Sequence, residues 1–310
     1  MATFDVSVIG ELNLDLILSG LPAELTLERE HLADDLQITL GSSSAIFAHN
    51  LASIGNKVGF SSSMGTDPLG EISLNRLGAS GVDVSRVKRM AGKTTGLTVI
   101  LPQGKRRYIL TYPGTMFEMN EKDLDLDYIL SAKHLHVSSY FLQKSLQSSL
   151  PEIFRKAKDA GLTTSLDTND DPDNVWSSEI QNLLKYTDVL LPNAAEACKL
   201  AQTDNVEQAA QILSEKVPIV VVKRGSQGAM AIAASKKLEA VPPKVESIDH
   251  VGAGDSFDAG FIHEYIRGKS IEDCLRYGNI VGALSVTRPG GTEAFRDAIH
   301  RDSFLKAHSA

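Results

Sequence analysis

Short apolar runs alternate with longer segments of helical periodicity along most of the chain. The apolar runs predict buried strands at residues 4–10, 57–62, 134–138, 163–167, 188–191 and 219–223. Apolar residues at three- and four-residue spacing predict helices at residues 68–78, 146–160, 176–185, 194–201 and 206–216. Strands that alternate with helices are typical of a mostly parallel sheet with helices on both faces. Ligands of such sheets bind beyond the carboxyl ends of the strands.

A second group of segments has the pattern of shorter, more exposed strands, at residues 11–18, 37–40, 96–102 and 106–112. The last two would form a hairpin through the short loop Gln103–Gly104–Lys105. Residues 41–55 predict a Gly/Ser loop that leads into a helix, with Gly55 suited to the position after the helix end.

Composition and charge narrow the class of protein. The 310 residues carry a net charge of −8 and are 42% hydrophobic, which argues against general attraction to nucleic acid or anionic lipid. No segment approaches the ~20 apolar residues of a transmembrane helix, and residues 1–10 lack the features of a secretory signal. Cys198 and Cys274 are too few for a disulfide framework. We therefore expect a cytoplasmic protein that binds neither nucleic acid nor membrane.

The stretch from Ile248 to Phe261 carries the clearest chemical signal. Gly252 and Gly254 let a backbone approach a ligand closely, and the helical spacing of apolar residues that follows predicts a helix that starts near Asp255. Free N–H groups at a helix start bind anions, phosphate above all. A carboxylate there could take a proton from an attacking hydroxyl. The alternative is that Asp255 simply caps a helix after an ordinary Gly-rich turn.

The same stretch resembles the C-terminal signature of the ribokinase-like (PfkB) family of carbohydrate and nucleoside kinases, D-T-x-G-A-G-D-x-F-x-A-G-F, with His250 in place of Thr. The resemblance implies that Asp255 is the catalytic base and that the backbone of Gly252, Ala253 and Gly254 forms an anion hole. Asp258 lies outside the pattern, and we interpret it as a first-turn helix charge.

The resemblance extends from Phe4 to about Gly291 and implies a fold. That fold is a ribokinase-like three-layer α/β/α sandwich with a mostly parallel central sheet. Residues 1–310 would form a single domain, in which segments near residues 11–40 and 95–114 form a small β-strand lid. In the family this lid is often a dimer contact, which implies a homodimer.

Two motifs resemble the acceptor-binding segments of the family. Asn13 and Asp15 lie on one face of the predicted strand and could bind adjacent hydroxyls, or they could belong to a solvated face. Residues 10–15 resemble the opening G-x-x-N-x-D motif, whose Asn and Asp bind the sugar. The segment that begins at Gly41 resembles G-G-x-x-x-N, with Ser42 in place of the second Gly and Ile46 in place of the Asn.

Further acceptor contacts are expected from the hairpin. Arg106, Arg107 and Tyr108 could face the substrate, or their charges could protect an exposed sheet edge. The predicted substrate-binding residues are Asn13, Asp15, Gly41, Ser42 and Tyr108. Asn50 lies one helical turn after Ile46 and would compensate for it only if the helix shifts.

Three other motifs imply a nucleotide site. Asn193 and Glu196 have capping-box spacing and match the N-x-x-E motif, which orders Mg²⁺-bound water. Residues 223–228 resemble T-x-G-x-x-G with Lys223 at the Thr position, and residues 279–291 resemble the closing helix and loop where adenine packs. The predicted ATP-binding residues are Asn193, Lys223, Gly225, Gly228 and Asn279. Asp249 lies where some relatives bind a monovalent cation, K⁺.

The sequence thus predicts an ATP- and Mg²⁺-dependent kinase that phosphorylates a primary hydroxyl of a small sugar. Two alternatives remain: a nucleoside kinase, in which Tyr140 or Phe141 stacks on a base, and a non-catalytic sugar-binding regulator, suggested by Ser42 and Ile46. A sugar-acid substrate is disfavoured because acidic residues follow Asn169 where the family often has Arg.

Overall fold

The structure is a computed structural model that describes residues 2–103, 106–176 and 178–308. Within these residues the chain forms the strands β1 (Phe4–Ile9), β2 (Asn13–Ser19), β3 (Asp35–Leu40), β4 (Val58–Gly65), β5 (Asp83–Met90), β6 (Gly96–Gln103), β7 (Arg106–Tyr112), β8 (Ala132–Val137), β9 (Thr163–Leu166), β10 (Val189–Leu190), β11 (Ile219–Lys223), β12 (Ala229–Ala233) and β13 (Lys236–Ala240). Gly104 and Lys105 of the predicted hairpin loop lie outside the described residues.

Nine strands form a large sheet in the order β13-β12-β11-β10-β9-β8-β1-β4-β5 within the described part of the chain. Its neighbours pair in parallel from β11 to β5, whereas β12 and β13 pair antiparallel at one edge. Successive residues of β11 point to opposite faces: Val220 and Val222 join one apolar core and Val221 the other. The predicted parallel sheet with two covered faces is therefore confirmed.

The helices cover both faces of this sheet. They are α1 (Ser43–Ser53), α2 (Pro68–Ala79), α3 (Leu126–Leu130), α4 (Leu150–Asp159), α5 (Ile180–Leu184), α6 (Ala194–Ala201), α7 (Val206–Ser214), α8 (Ala253–Tyr265), α9 (Ile271–Ser285), α10 (Glu293–Arg296) and α11 (Ala298–His308). Apolar side chains of α4 to α7 pack into one core, and those of α1, α2, α8 and α9 pack into the other. Among the described helices none is both long and apolar enough to span a bilayer.

A second, four-stranded sheet has the order β3-β2-β6-β7. Strands β2 and β6 pair in parallel, and the two outer strands pair antiparallel to them. All four strands lie within the segments predicted to form the lid. The ribokinase-like α/β/α fold class with a small β lid is thus confirmed.

Three predictions of local structure need correction. Helix α8 begins at Ala253, two residues before Asp255, because Gly252 is its N-cap residue. The helix predicted at residues 176–185 is shortened to α5. Strands β5, β12 and β13 were not predicted: β5 is a charged edge strand, and β12 is rich in Ala, which has low strand propensity.

Candidate active site

Two pockets meet at the carboxyl end of the large sheet. The smaller has a volume of about 540 Å³ and the larger about 780 Å³. Four residues line both: Lys223, Gly225, His250 and Gly254. Ligands of open α/β sheets bind outside the carboxyl ends of the strands, and two ligands placed here would approach each other at these shared residues.

The start of α8 forms the floor of this junction. Gly252 adopts a left-handed backbone conformation, with φ of 70°, and no side chain caps the helix. A Cβ at Gly252 would lie only 2.6 Å from the Cα atom of Gly291, so the close contact between the two loops requires glycine. The first-turn N–H groups of a helix lack intrahelical partners and bind anions. Gly252, Ala253 and Gly254 can therefore present an anion site.

Asp255 is the third residue of α8 and lines the larger pocket. It is half-buried, and the Ser43 side chain stabilises its ionised form and partly offsets the rise of its pKa. Burial, reinforced by the negative charge of Asp167, raises the pKa of Asp255 to about 7. Asp255 does not occupy the N-cap position, so helix capping does not explain it. A carboxyl with a pKa near neutrality suits general-base chemistry.

Lys223 forms a buried ion cluster beside Asp255. Its Nζ donates to Oδ2 of Asp167 at 2.9 Å and to Oδ2 of Asp258 at 2.8 Å. The Lys223 side chain is 12% exposed and both carboxylate side chains are 1% exposed. Burial alone would lower the pKa of Lys223, but the carboxylates more than offset it and keep the amine charged. Asp258 is the sixth residue of α8 and lies beyond its first turn. The interpretation of Asp258 as a first-turn helix charge was therefore wrong, because this carboxylate is an ion-pair partner of Lys223.

Asn193 and Glu196 combine the predicted capping role with a place at the larger pocket. Asn193 caps α6: its Oδ1 accepts from the Glu196 N–H at 3.0 Å, while the Asn193 N–H donates to Oε2 of Glu196 at 2.8 Å. Burial and the charge of Asp167 raise the pKa of Glu196. The described residues contain no group of three or more His, Cys, Asp or Glu placed to bind a metal. The Glu196 carboxylate, in the pocket that also contains the start of α8, still suits Mg²⁺, which keeps several waters and binds phosphate oxygens.

The smaller pocket contains the other predicted nucleotide residues. Gly225 and Gly228 bound a 3₁₀ turn after β11, and a Cβ at Gly228 would lie 2.0 Å from the carbonyl oxygen of Ala240. The Asn279 side chain donates to the carbonyls of Ala240 and Leu275, which fixes it at the pocket wall. The apolar part of the wall is formed by Pro242, Pro243, Val245, Phe257, Ala283 and Val286. Such a wall suits a flat aromatic ring.

The larger pocket contains Asn13 and Asp15. Asn13 is buried, and its Oδ1 is a buried acceptor without a hydrogen-bond partner in the described structure, as expected where a ligand would supply the donor. Burial raises the pKa of Asp15 to about 7, with further contributions from the charges of Asp255 and Asp249. A Cβ at Gly41 would lie 2.1 Å from Oδ1 of Asp15, so Gly41 makes room for this carboxylate.

Ser42 also lines the larger pocket, where it replaces the usual glycine. It is the N-cap residue of α1: its hydroxyl accepts from the Ala45 N–H at 3.2 Å and donates to the Glu11 carbonyl. Ile46 lines the same pocket and packs against the positions of Gly252 and Gly291. An apolar side chain therefore occupies the position of the family's Asn.

Asn50 does not replace that missing amide. Its Nδ2 donates to Oγ of Ser256 and to the Gly291 carbonyl, each at 2.9 Å, and this buried side chain is not among the pocket residues. Asn50 instead joins α1 to α8 and to the loop at Gly291. The larger pocket therefore lacks the amide that the family pattern has at this position.

Tyr108 faces away from the pocket. Alternate residues of β7, which are Arg107, Ile109 and Thr111, line the larger pocket, whereas Tyr108 is 58% exposed on the opposite face of the strand. Side chains alternate across a strand, so Arg107 and Tyr108 cannot both face the pocket. The predicted substrate contact Tyr108 therefore lies outside the pocket, and Arg107 lines it instead.

The aromatic residues considered for base stacking are core residues. Tyr140 and Phe141 are buried, and Phe141 packs edge-on against Trp176 at a centroid distance of 5.0 Å. Neither ring lines either pocket. The interpretation of these two residues as ordinary packing is therefore the better one.

Several pocket residues were not singled out from the sequence. Buried Glu11 accepts hydrogen bonds from Ser44, Ser139 and Gln143 at 2.7–2.8 Å and so organises the pocket floor. Asn169 donates to Oγ of Ser139 at 2.8 Å. Glu11 occupies a variable position of the opening motif, so only its place between Gly10 and Asn13 hinted at a role.

Asp249 connects two loops near the pockets. Its Oδ1 accepts from the Val251 N–H at 3.1 Å and its Oδ2 accepts from the Gly290 N–H at 2.8 Å. These bonds fix the backbone immediately before the anion site.

Comparisons with known proteins agree with this geometry. Residues 3–298 match the model of the "pfkB family carbohydrate kinase". A 2-dehydro-3-deoxygluconokinase from Bacillus subtilis is 30% identical over 274 residues, which cover 84% of each chain. A cytidine kinase from Thermococcus kodakarensis is 27% identical over 279 residues, which cover 88% of this chain and 93% of that one.

A solved structure extends the similarity to three dimensions. The Arabidopsis thaliana ribokinase complexed with ribose and ATP superposes with a TM-score of 0.83 at 25% identity and covers 99% of both chains. The named relatives differ in substrate, so they define a family rather than one acceptor. The chain belongs to the pfkB family of carbohydrate kinases.

Proposed function

We propose that this protein transfers the γ-phosphoryl group of ATP to a primary hydroxyl of a small neutral sugar. One observation carries the proposal: the Asp255 carboxylate lies beside the uncapped start of α8, where the two pockets meet. The smaller pocket would bind ATP and the larger one the sugar. The whole chain would act as one kinase domain, with the small sheet as its lid.

The proposed mechanism assigns one task to each group. Asp255 orients the acceptor hydroxyl and takes its proton, and Asn13 and Asp15 bind other hydroxyls. The N–H groups at Gly252, Ala253 and Gly254 stabilise the charge on the transferred group. Glu196 would hold Mg²⁺ through water, and the ion would supply charge neutralisation on the phosphates. Positioning and electrostatics carry most phosphoryl-transfer catalysis.

Charge supports a neutral acceptor. The larger pocket is lined by the carboxylates of Glu11, Asp15, Asp167, Asp170, Glu196 and Asp255. Within the described structure, Lys223 and Arg107 are the only lysine or arginine residues among its lining residues, and Lys223 is already paired. Above pH ~7, where Asp15 and Asp255 are ionised, an anionic sugar acid would meet net repulsion there, whereas polyol hydroxyls can donate to the carboxylates.

The test is ADP production from Mg·ATP with a panel of acceptors: ribose, fructose, fructose phosphates, ketodeoxygluconate, adenosine, inosine and cytidine. We expect turnover with a neutral sugar. Turnover with nucleosides alone would instead establish a nucleoside kinase. If no acceptor gave ADP production but sugar binding were measurable, the protein would be a non-catalytic regulator and the proposal would be overturned.

The pKa of Asp255 leads to a pH prediction. The base acts only when deprotonated, so kcat/KM should fall about tenfold per pH unit below ~7 and level off above it. Acceptor titrations from pH 5.5 to 8.5 measure this profile. Asp15→Asn removes the other carboxyl with a pKa of about 7. The slope should persist in that variant, and its disappearance would reassign the titration to Asp15.

The outer face of the small sheet supports a homodimer. Leu36, Ile38, Tyr108, Leu110 and Tyr112 are large apolar or aromatic side chains, each at least 41% exposed. A patch of this kind marks an interaction site, and we propose a second copy of the chain as its partner. Leu110→Asp should convert a dimer to a monomer in sedimentation experiments. Ile299→Asp, at an exposed apolar residue on α11, should not.

The Asp249 carboxylate would help bind a K⁺ ion near the anion loop, which predicts faster turnover in K⁺ than in Na⁺ buffers.

The protein would be located in the cytoplasm, consistent with ATP as a substrate and with Cys198 and Cys274 as free thiols. Cell fractionation tests this location.

A further inference from the structure

The Lys223 ammonium lies at the boundary between the two pockets. Lys223 ends β11 and lines both pockets. A Cβ at Gly254 would lie 3.5 Å from its Nζ, so the amine is close to the backbone of the anion site. A group in transfer between the two ligands would pass this point.

The ammonium has one donor left for a ligand. Lysine offers three N–H donors, and Nζ of Lys223 uses two of them on Asp167 and Asp258. Both carboxylates are buried and come from different elements, Asp167 from the segment after β9 and Asp258 from α8. Two fixed acceptors define the position of a side chain that is otherwise flexible.

The sequence departs from the family pattern at one end of this contact and uses a variable position at the other. Lys223 stands where T-x-G-x-x-G has Thr, and Asp258 lies at a variable position of the signature. The structure brings the two side chains together at 2.8 Å. A longer, charged side chain at one position is thus matched by a carboxylate at the other.

We propose that Asp258 is a positioning residue that, with Asp167, aims the third N–H of Lys223 at the phosphoryl group in transfer. This inference rests on the proposed function, because it requires a nucleotide with a γ-phosphate in the smaller pocket. A preorganised donor in a site of low solvent access stabilises developing charge strongly. Lys223 would touch the transferred group itself, whereas Asp258 acts through Lys223.

A purely structural ion cluster would behave differently. Buried ion pairs occur without any ligand role, and breaking one destabilises a fold. Such a role would change thermal stability and would alter the binding of ATP and ADP alike. A donor aimed at the γ-phosphate instead contributes to binding of ATP and not of ADP.

The test compares the affinities of the Mg²⁺ complexes of β,γ-imido-ATP and ADP by calorimetry. In Asp258→Asn we expect the affinity for the ATP analogue to fall about tenfold, the loss of a charge-assisted hydrogen bond, and that for ADP to stay within about threefold. Lys223→Met should show the same pattern. Adding Asp258→Asn to Lys223→Met should change the ratio little further, because the two act as one unit.

Asp188→Asn is the matched control. Asp188 forms an ion pair with Lys158 and precedes β10, at the amino end of the same sheet. It should lower stability and leave the ratio of the two affinities unchanged. Equal loss of both affinities in Asp258→Asn, or no loss, overturns the inference.

Failure of this inference can be distinguished from failure of the proposed function. The binding measurement needs no acceptor, so silence of the wild type across the acceptor panel does not affect it. Wild-type protein that binds neither nucleotide overturns both proposals. If Asp258→Asn does not fold, Lys223→Met/Asp258→Leu replaces the pair with apolar side chains, and a wild-type affinity ratio in that variant overturns the inference.

Discussion

Asp255→Asn should lower kcat by ~10²-fold or more, the usual contribution of a positioned acid–base group, while nucleotide binding is retained. The amide matches the carboxylate in shape and cannot accept the proton. Burial disfavours the charged form of Asp255 and raises its pKa to about 7. At pH 8 the wild type carries a buried negative charge at Asp255 and the variant does not. The variant should therefore be at least as stable as the wild type at this pH. Steady-state kinetics and thermal unfolding at pH 8 measure both effects.

Asp273→Asn is a matched control for a helix-dipole effect. Asp273 is also the third residue of its helix, α9, where it bonds to the Ser270 cap. This variant should lose a few tenths to about 1 kcal/mol of stability and keep full turnover. If the two variants lost activity equally, or if Asp255→Asn remained active, Asp255 would be a helix-start charge and not the base.

Gly252→Ala should reduce both turnover and stability. A residue other than glycine in the left-handed conformation costs about 1–2 kcal/mol. The added Cβ would also lie 2.6 Å from the Gly291 backbone, so one of the loops must move. Because a displacement of ~1 Å can lower a rate ~10²-fold, we expect a loss of that order in kcat.

Gly268→Ala separates these two effects. Gly268 has φ of 71°, nearly that of Gly252, but no heavy atom lies within 4 Å of its added Cβ. It should lose similar stability from backbone conformation and keep its turnover. Normal activity in Gly252→Ala would show that turnover does not depend on the position of this loop. Such a result would argue against Gly252, Ala253 and Gly254 as the anion site.

The local sequence pattern was sufficient to predict the strands and the helix that position the site. The apolar runs predicted the parallel strands other than the charged edge strand β5, because those strands are buried on both faces. The sequence from Gly252 to Phe261 located the start of α8 to within two residues. The edge hairpin β12–β13 was missed for a physical reason. Its turn uses Ala234 and Ser235 at positive φ, 47° and 61°, where the usual Asn-Gly or Asp-Gly signal is absent.

Contacts distant in sequence could not be predicted in this way. Lys223 and Asp258 are separated by 35 residues, and no local spacing relates them. The orientation of β7 was also undetermined, because both of its faces mix polar and apolar residues and only the tertiary structure selects Arg107 over Tyr108. The buried role of Glu11 likewise depends on three hydrogen-bond partners from two later segments.

The residues proposed to contact the acceptor are divided between two layers of the molecule. Asn13, Asp15 and Arg107 belong to the small sheet, whereas Asp255 belongs to a helix packed on the large one. An acceptor that contacts both the small sheet and α8 would therefore favour the conformers in which this sheet and this helix are close. Its apparent affinity equals the intrinsic affinity multiplied by the population of those conformers. A substitution on the outer face of the small sheet can thus change KM without touching the acceptor.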